Sequence, residues 1–184
     1  MITTKNEKQM QIYGEGAWIY FNEPDNKYSN PGEFKATLKV PKAKAGVYIR
    51  DINEVISNEL KATHGPSGAE RLSETRKPYT VKGDIVEFKL HSQFKPILWD
   101  ADQNKLDEKI NVWSGSTMWA NCKASGYTKP LLTGATLLLG SVQIDKLVAG
   151  EALDVCPFPK RVGKIRKEVV QEFKNKITES PVAL

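Results

Sequence analysis

Three segments of this chain alternate apolar and polar residues with a period of two, and no other feature restricts the possible folds as much. Phe34, Ala36, Leu38 and Val40 are separated by Lys35, Thr37 and Lys39. Val86, Phe88 and Leu90 are interleaved with Glu87, Lys89 and His91, and Met118, Ala120 and Cys122 with Thr117, Trp119, Asn121 and Lys123. On a pleated strand successive side chains point to opposite faces, so each segment predicts a strand with one face in a core and the other in solvent. Residues 17–21, dense in β-formers and followed by the turn-forming residues 22–26, predict another strand and a loop. Residues 96–99 and 109–113 flank the turn-rich stretch 100–105 and read as a hairpin. Residues 135–148 form the most apolar run and include Gly140, which predicts a buried strand or pair of strands with a bulge at the glycine.

The period changes over residues 48–62. There Ile49, Ile52, Val55, Ile56 and Leu60 fall mostly three or four apart, which predicts one amphipathic helix ending before His64-Gly65-Pro66. Residues 63–80 carry Gly65, Pro66, Gly68 and Pro78 together with Arg71, Arg76 and Lys77, and are expected to form a mobile basic loop. After Pro159, Ile165, Val169, Phe173 and Ile177 recur every four residues, which predicts an appended C-terminal helix. That helix is basic: Lys160, Arg161, Lys164, Arg166, Lys167, Lys174 and Lys176 stand against Glu168, Glu172 and Glu179. Short strands in this number, with one internal helix, predict a mainly β protein whose antiparallel sheet closes into a small barrel and so removes its exposed edges.

Composition narrows the function classes. A chain of 184 residues, 40% hydrophobic and 27% charged, is long enough for one medium domain that buries roughly 70% of its unfolded surface. It needs neither disulfides nor a structural metal. Cys122 and Cys156 have no metal-like spacing, the first residues are polar, and no apolar run reaches the roughly 18 residues of a membrane span. A soluble protein of a reducing cytoplasm, without membrane contact, is therefore expected. His64 and His91 sit in no recognised nucleophile context. Tyr13-Gly14-Glu15-Gly16 is only part of a dinucleotide fingerprint, with a strand rather than a helix after it, and reads as a turn. Residues 100–104 match the opening of a calcium loop, but Lys105 replaces the required glycine and Asn111 the bidentate glutamate, so they read as a polar hairpin tip. No catalysis, cofactor or metal is expected.

The net charge of +5 is a mild bias toward polyanions. Its arrangement says more. The faces turned away from the core carry Trp18 and Tyr20 on one strand, Lys35 and Lys39 on the next, Lys89 and His91 on a third, and Trp119, Asn121 and Lys123 on a fourth. Exposed rings cost solubility unless a partner covers them, and rings interleaved with ammonium groups suit unpaired bases and the phosphates between them. Any single ring could instead be buried beneath a helix. Trp99 and Trp113 are expected to be packing residues, and Phe94 to cap the barrel.

Residues 15–150 also resemble, in order, the single-stranded DNA-binding proteins of short-tailed bacteriophages. Ala17-Trp18-Ile19-Tyr20, running through Ser29-Asn30-Pro31-Gly32 into Phe34-Lys35-Ala36-Thr37-Leu38-Lys39-Val40-Pro41, is similar to the family's opening hairpin. Glu87-Phe88-Lys89-Leu90-His91 resembles a DNA-contacting strand in which the family usually has tyrosine at the position of His91. Gly115–Cys122 followed by Ser125-Gly126-Tyr127 resembles a basic strand ending in a loop tyrosine that stacks on a base.

The resemblance implies an OB-fold over residues 1–155, with residues 156–184 as a basic helical extension. It implies a non-enzymatic protein that coats single-stranded DNA with little sequence preference in phage replication and recombination, destabilises duplex and assists annealing in the host cytoplasm. Lys35, Lys39, Lys89 and Lys123 would hold the backbone, and Trp18, Tyr20, His91, Trp119 and Tyr127 would stack bases. The residue 63–80 loop would close over the strand. Phage replication proteins are the implied partners. Family members generally end in an acidic tail, whereas this sequence ends NKITESPVAL, and its basic helix is free to dimerise, contact DNA or pack on the barrel. Three other readings stay open: a protein-binding assembly module on the same aromatic face, an RNA-binding OB protein, and an enzyme.

Overall fold

The computed structural model describes residues 6–27, 31–107, 109–130 and 132–148, all within one compact unit, Met1–Gly150. The predicted C-terminal helix and Cys156 lie outside the described residues, as does the proposed boundary at residue 155. Among the described residues, seven strands and one α-helix follow in the order β1 (Glu7–Asp25), β2 (Glu33–Pro41), α1 (Lys42–His64), β3 (Tyr79–Lys82), β4 (Ile85–Ser92), β5 (Ile97–Trp99), β6 (Thr117–Lys129) and β7 (Leu132–Lys146). A 3-10 helix, Pro66–Glu74, lies between α1 and β3.

The sheet order is β3-β4-β2-β1-β6-β7-β5, and a further pairing of β4 with β7 closes five of these strands into a ring. This is the barrel expected of an OB-fold, with one difference from the expectation of an antiparallel sheet. The closing seam is parallel, with Leu90 opposite Leu137 and His91 opposite Leu138. The alternating segments form β2, β4 and the first half of β6, with the predicted faces inward. Ala36, Leu38, Val40, Val86, Phe88, Leu90, Met118, Ala120 and Cys122 are all buried in one core. Burial pushes the Cys122 thiol up to about 12, so it stays protonated and behaves as a small apolar side chain.

β1 is longer than predicted at both ends, and Tyr13-Gly14-Glu15-Gly16 lies inside it rather than forming a turn. The first half of β1 pairs with β6, from Glu7 opposite Ser125 to Glu15 opposite Thr117. The second half pairs with β2, from Glu15 opposite Lys39 onward. The two glycines mark this change of partner because a side chain would not fit. A Cβ on Gly14 would lie 2.8 Å from the Lys39 carbonyl oxygen, and one on Gly16 would lie 2.6 Å from the Met118 methyl.

The single apolar run is one strand, β7. Asn121 pairs with Ser141 and Cys122 with Leu139, so Gly140 is the extra residue of a bulge and inward positions change from Leu137 and Leu139 to Val142 and Ile144. α1 extends the predicted helix in both directions. Its first amide, on Lys42, donates to the Asp84 carbonyl, and it ends at Gly65, whose φ of 77° and N–H to the Lys61 carbonyl stop the helix before Pro66. Its buried stripe, Ala45, Ile52, Val55, Ile56 and Leu60, belongs to the barrel core. The Tyr48 ring meets Phe88 edge-on at 5.8 Å.

Three local expectations are corrected. Residues 63–80 are not a loop throughout: they hold the end of α1, the 3-10 helix and the start of β3, with Arg76 exchanging backbone hydrogen bonds with Thr133 and Ala135. Residues 109–113 form no strand. β5 pairs in parallel with β7, and the turn at residues 100–105 returns only as far as a single bridge between Trp99 and Lys105. Finally, Phe94 and Trp113 are 80% and 52% exposed, so neither caps nor packs the barrel, whereas Trp99 is half-buried. Ser92 explains Phe94: the inward series Phe88, Leu90, Ser92 would bring Phe94 inside, but β4 ends at Ser92, whose hydroxyl accepts the Phe94 N–H at 3.0 Å and turns the chain outward.

Two glycine substitutions should move stability in opposite directions in urea unfolding. Gly46→Ala lies inside α1 with open space around its Cβ and should stabilise by about 1 kcal/mol. Gly14→Ala presses a methyl group onto backbone and should destabilise by about 1–3 kcal/mol.

Candidate nucleic-acid interface

Cross-strand pairing carries one row of outward-facing residues around the barrel. Tyr20 of β1 is opposite Lys35 of β2, Lys35 opposite His91 of β4, His91 opposite Leu138 of β7, and Leu138 opposite Lys123 of β6. Because directly opposed Cβ atoms are about 5 Å apart, such a row is a continuous surface rather than a set of separate groups.

At the β1–β2–β4 end of the row lies a hollow of about 450 Å³ that brings together five predicted residues, Trp18, Tyr20, Lys35, Lys89 and His91. A bulge creates its aromatic wall. From Ala17 to Tyr20 β1 advances three residues while β2 advances two, from Thr37 to Lys35, and Trp18 takes the left-handed φ of 51°. Ala17 and Phe21 remain in the core, and Trp18 is left 72% exposed. A bulky residue in that region is strained, and the strain here serves to point an indole at solvent.

The cations are held in different ways. Lys35 Nζ lies 5.1 Å from the centre of the Tyr20 ring and forms an ion pair with Asp25. That lysine, helped by the Lys27 backbone N–H, lowers the Asp25 pKa below its usual range. His91 shares a hydrogen bond between Nε2 and the Thr136 hydroxyl, with Nδ1 3.8 Å from Glu33. Lys89 is exposed and has no carboxylate partner among the described residues. Lys27, which sequence reasoning did not single out, also lines the hollow.

A second hollow shares Glu33 and His91 with the first and continues over β7 to Lys123, with Phe94 at its edge. Lys123 is paired with Glu7 at 2.8 Å. The other predicted residues are spread more widely. Lys39 points out of β2 beyond both hollows, 3.8 Å from Glu15. Trp119 packs against Tyr13, ring centres 5.0 Å apart, in a third hollow with Trp99. Tyr127 is in β6 and not in a loop, opposite Gly134, with Lys129 Nζ 5.8 Å from its ring centre. The anticipated single track is thus one cluster of five residues with Lys123 adjoining it, while Trp119 lines the third hollow and Lys39 and Tyr127 stand apart.

Residues 100–104 form a turn whose Asp100 carboxylate accepts the Asn104 backbone and side-chain N–H groups, 2.8 and 3.0 Å away. Among the described residues no three of His, Cys, Asp and Glu gather in a way that could hold a metal, and no helix is long and apolar enough to cross a membrane.

The Asp25–Lys35 pair has a pH signature. A carboxylate with a lowered native pKa contributes stability above its unfolded value, and loses that contribution as pH falls through the native value. Wild type should therefore be more stable than Asp25→Asn at neutral pH, with the difference shrinking below about pH 4. Urea midpoints measured across pH check this, and an unchanging difference would contradict it.

No protein-family model and no curated protein sequence matches the chain. Solved structures do. The chain is similar to gp2.5, a single-stranded DNA-binding protein encoded by bacteriophage T7, with a TM-score of 0.66 and 18% identity over 82% of this chain and 98% of that one. It is also similar to the single-stranded DNA-binding protein of bacteriophage Enc34 in its complex with single-stranded DNA, with a TM-score of 0.61 and 14% identity over 82% of this chain and 89% of that one. At such identities the likeness is one of architecture: the chain has the OB-fold barrel of these two phage proteins.

Proposed function

We propose that this protein binds and coats single-stranded DNA, without catalysis, in phage replication and recombination. The observation that carries the reading is the hollow in which Trp18 and Tyr20 stand beside Lys35, Lys89 and His91 on the outer face of the barrel. The strand 2–3 face is where OB-folds take oligonucleotides, and β2 and β4 are the second and third strands of this ring. Support also comes from the two phage structures of the same fold, each titled as a single-stranded DNA-binding protein.

In the proposed mechanism Trp18 and Tyr20 stack on bases, each worth about 1–3 kcal/mol, while Lys35, Lys89 and Lys123 neutralise phosphates. His91 stacks or hydrogen-bonds between them. Phosphates exchange with Asp25 and Glu7 for their lysines, an exchange that surface ion pairs worth about 0–1 kcal/mol allow. Duplex hides the base faces, so binding favours unpaired strands and destabilises weak duplex.

Titration with oligo(dT) should quench tryptophan fluorescence, and log affinity should fall with log salt by about 0.7 per phosphate contacted. Trp18→Ala should weaken binding by about 1–3 kcal/mol with its salt slope intact, and Lys89→Ala should lower the slope by about 0.7. Binding to duplex as tight as to single strands, or binding indifferent to salt, would refute the reading. An RNA oligonucleotide of equal length tells the two nucleic acids apart.

A further inference from the structure

The third hollow differs in chemistry from the other two. It measures about 440 Å³ and is walled by the indoles of Trp99 and Trp119 and the amides of Gln11, Gln103, Asn121 and Gln143. No charged side chain of the described residues lines it. Trp119 is braced on one side by Tyr13, whose hydroxyl donates to Asp145 at 2.7 Å, and remains 43% exposed. Gln143 Nε2 donates to the Asp100 and Ala101 carbonyls at 3.1 and 3.2 Å, which fixes the neighbouring turn and leaves Oε1 unpaired among the described residues. That turn holds Gln103 at a left-handed φ of 66°, a conformation unusual outside glycine. The side chains of Gln11 and Gln103 have no hydrogen-bond partner among the described residues.

A phosphate would find no cation here, and an aliphatic group would leave the amides unsatisfied. A planar, uncharged heterocycle with donors and acceptors along its edge matches both the indole faces and the amides. One hydrogen bond links the hollow to the cationic face. Asn121 on its wall accepts a hydrogen bond from Gln9 at 2.7 Å, and Gln9 lines the second hollow with Lys123 and His91.

We propose that this hollow is a base-reading subsite, which takes one unpaired nucleobase of a strand leaving the cationic face, stacks it on Trp119 and reads its edge through Gln11 and its neighbouring amides. The inference rests on the single-stranded DNA reading and extends it. Stacking tolerates every base, whereas edge hydrogen bonds distinguish them, so the subsite adds a base preference at one nucleotide to binding that is otherwise indifferent to sequence.

The test compares homopolymers of dA, dT and dC, about 16 nucleotides long, on wild type, Gln11→Met, Trp119→Ala and Lys89→Ala. Gln11→Met keeps the side chain's bulk and removes its amide; it should change the ratio of affinities between homopolymers by about 3-fold or more while leaving the salt slope unaltered. Trp119→Ala should weaken all three by about 5-fold or more. If Gln11→Met leaves every ratio unchanged, or Trp119→Ala binds like wild type while Lys89→Ala is weakened, the subsite is overturned and the cationic face stands. If wild type binds none of the three, it is the single-stranded DNA reading that fails.

Discussion

Two backbone pairs hold the barrel shut, Leu90 with Leu137 and His91 with Leu138. Without them the stretches of β4 and β7 that β3 and β5 do not cover would be left with main-chain donors and acceptors unmet and the shared core divided. Parallel pairing requires a long connection, and the chain between these strands supplies it as β5, the turn at residues 100–104, and β6. The same seam determines the outer surface. It puts His91 beside Thr136 and sets Leu138 between His91 and Lys123, so residues more than thirty positions apart become neighbours in one row.

Along that row the protein does not present a bare strip of positive charge. Asp25 and Glu7 each hold one of the lysines, and Glu33 faces His91. Partly exposed pairs of this kind stabilise little, so they can be exchanged, yet they soften the attraction for any passing polyanion. Under the proposed function, aromatic surface then selects among polyanions, because the exposed face of Trp18 suits an unstacked base. The Trp99–Trp119 hollow contrasts with that face, since its walls carry hydrogen-bonding groups and, among the described residues, no charge.

Much of this was legible in the chain itself, for identifiable reasons. Strands β2 and β4 and the first half of β6 could be read because every second side chain is apolar and the intervening ones are polar. The stripe of α1 was legible from its spacing. The first half of β1 was not, because Gly14 and Gly16 supply no side chains to alternate just where the strand changes partners. The order in residues 63–80 was hidden because it depends on main-chain bonds from Arg76 to β7, which leave no mark on residue type. Phe94 was misread because one Ser92 hydrogen bond breaks a period that the sequence continues.

By itself, then, the sequence determined which side chains of each strand face the core, since that follows from local period and polarity. It also determined that rings and ammonium groups share the opposite faces. Only the tertiary structure decided which of those faces adjoin. The parallel seam, the bulge at Trp18 and the bulge at Gly140 fix the register between strands, and register is a relation between distant segments that no local pattern encodes. For that reason Trp18, Tyr20, Lys35, Lys89 and His91 meet in one hollow while Tyr127, drawn from the same kind of strand, lies elsewhere.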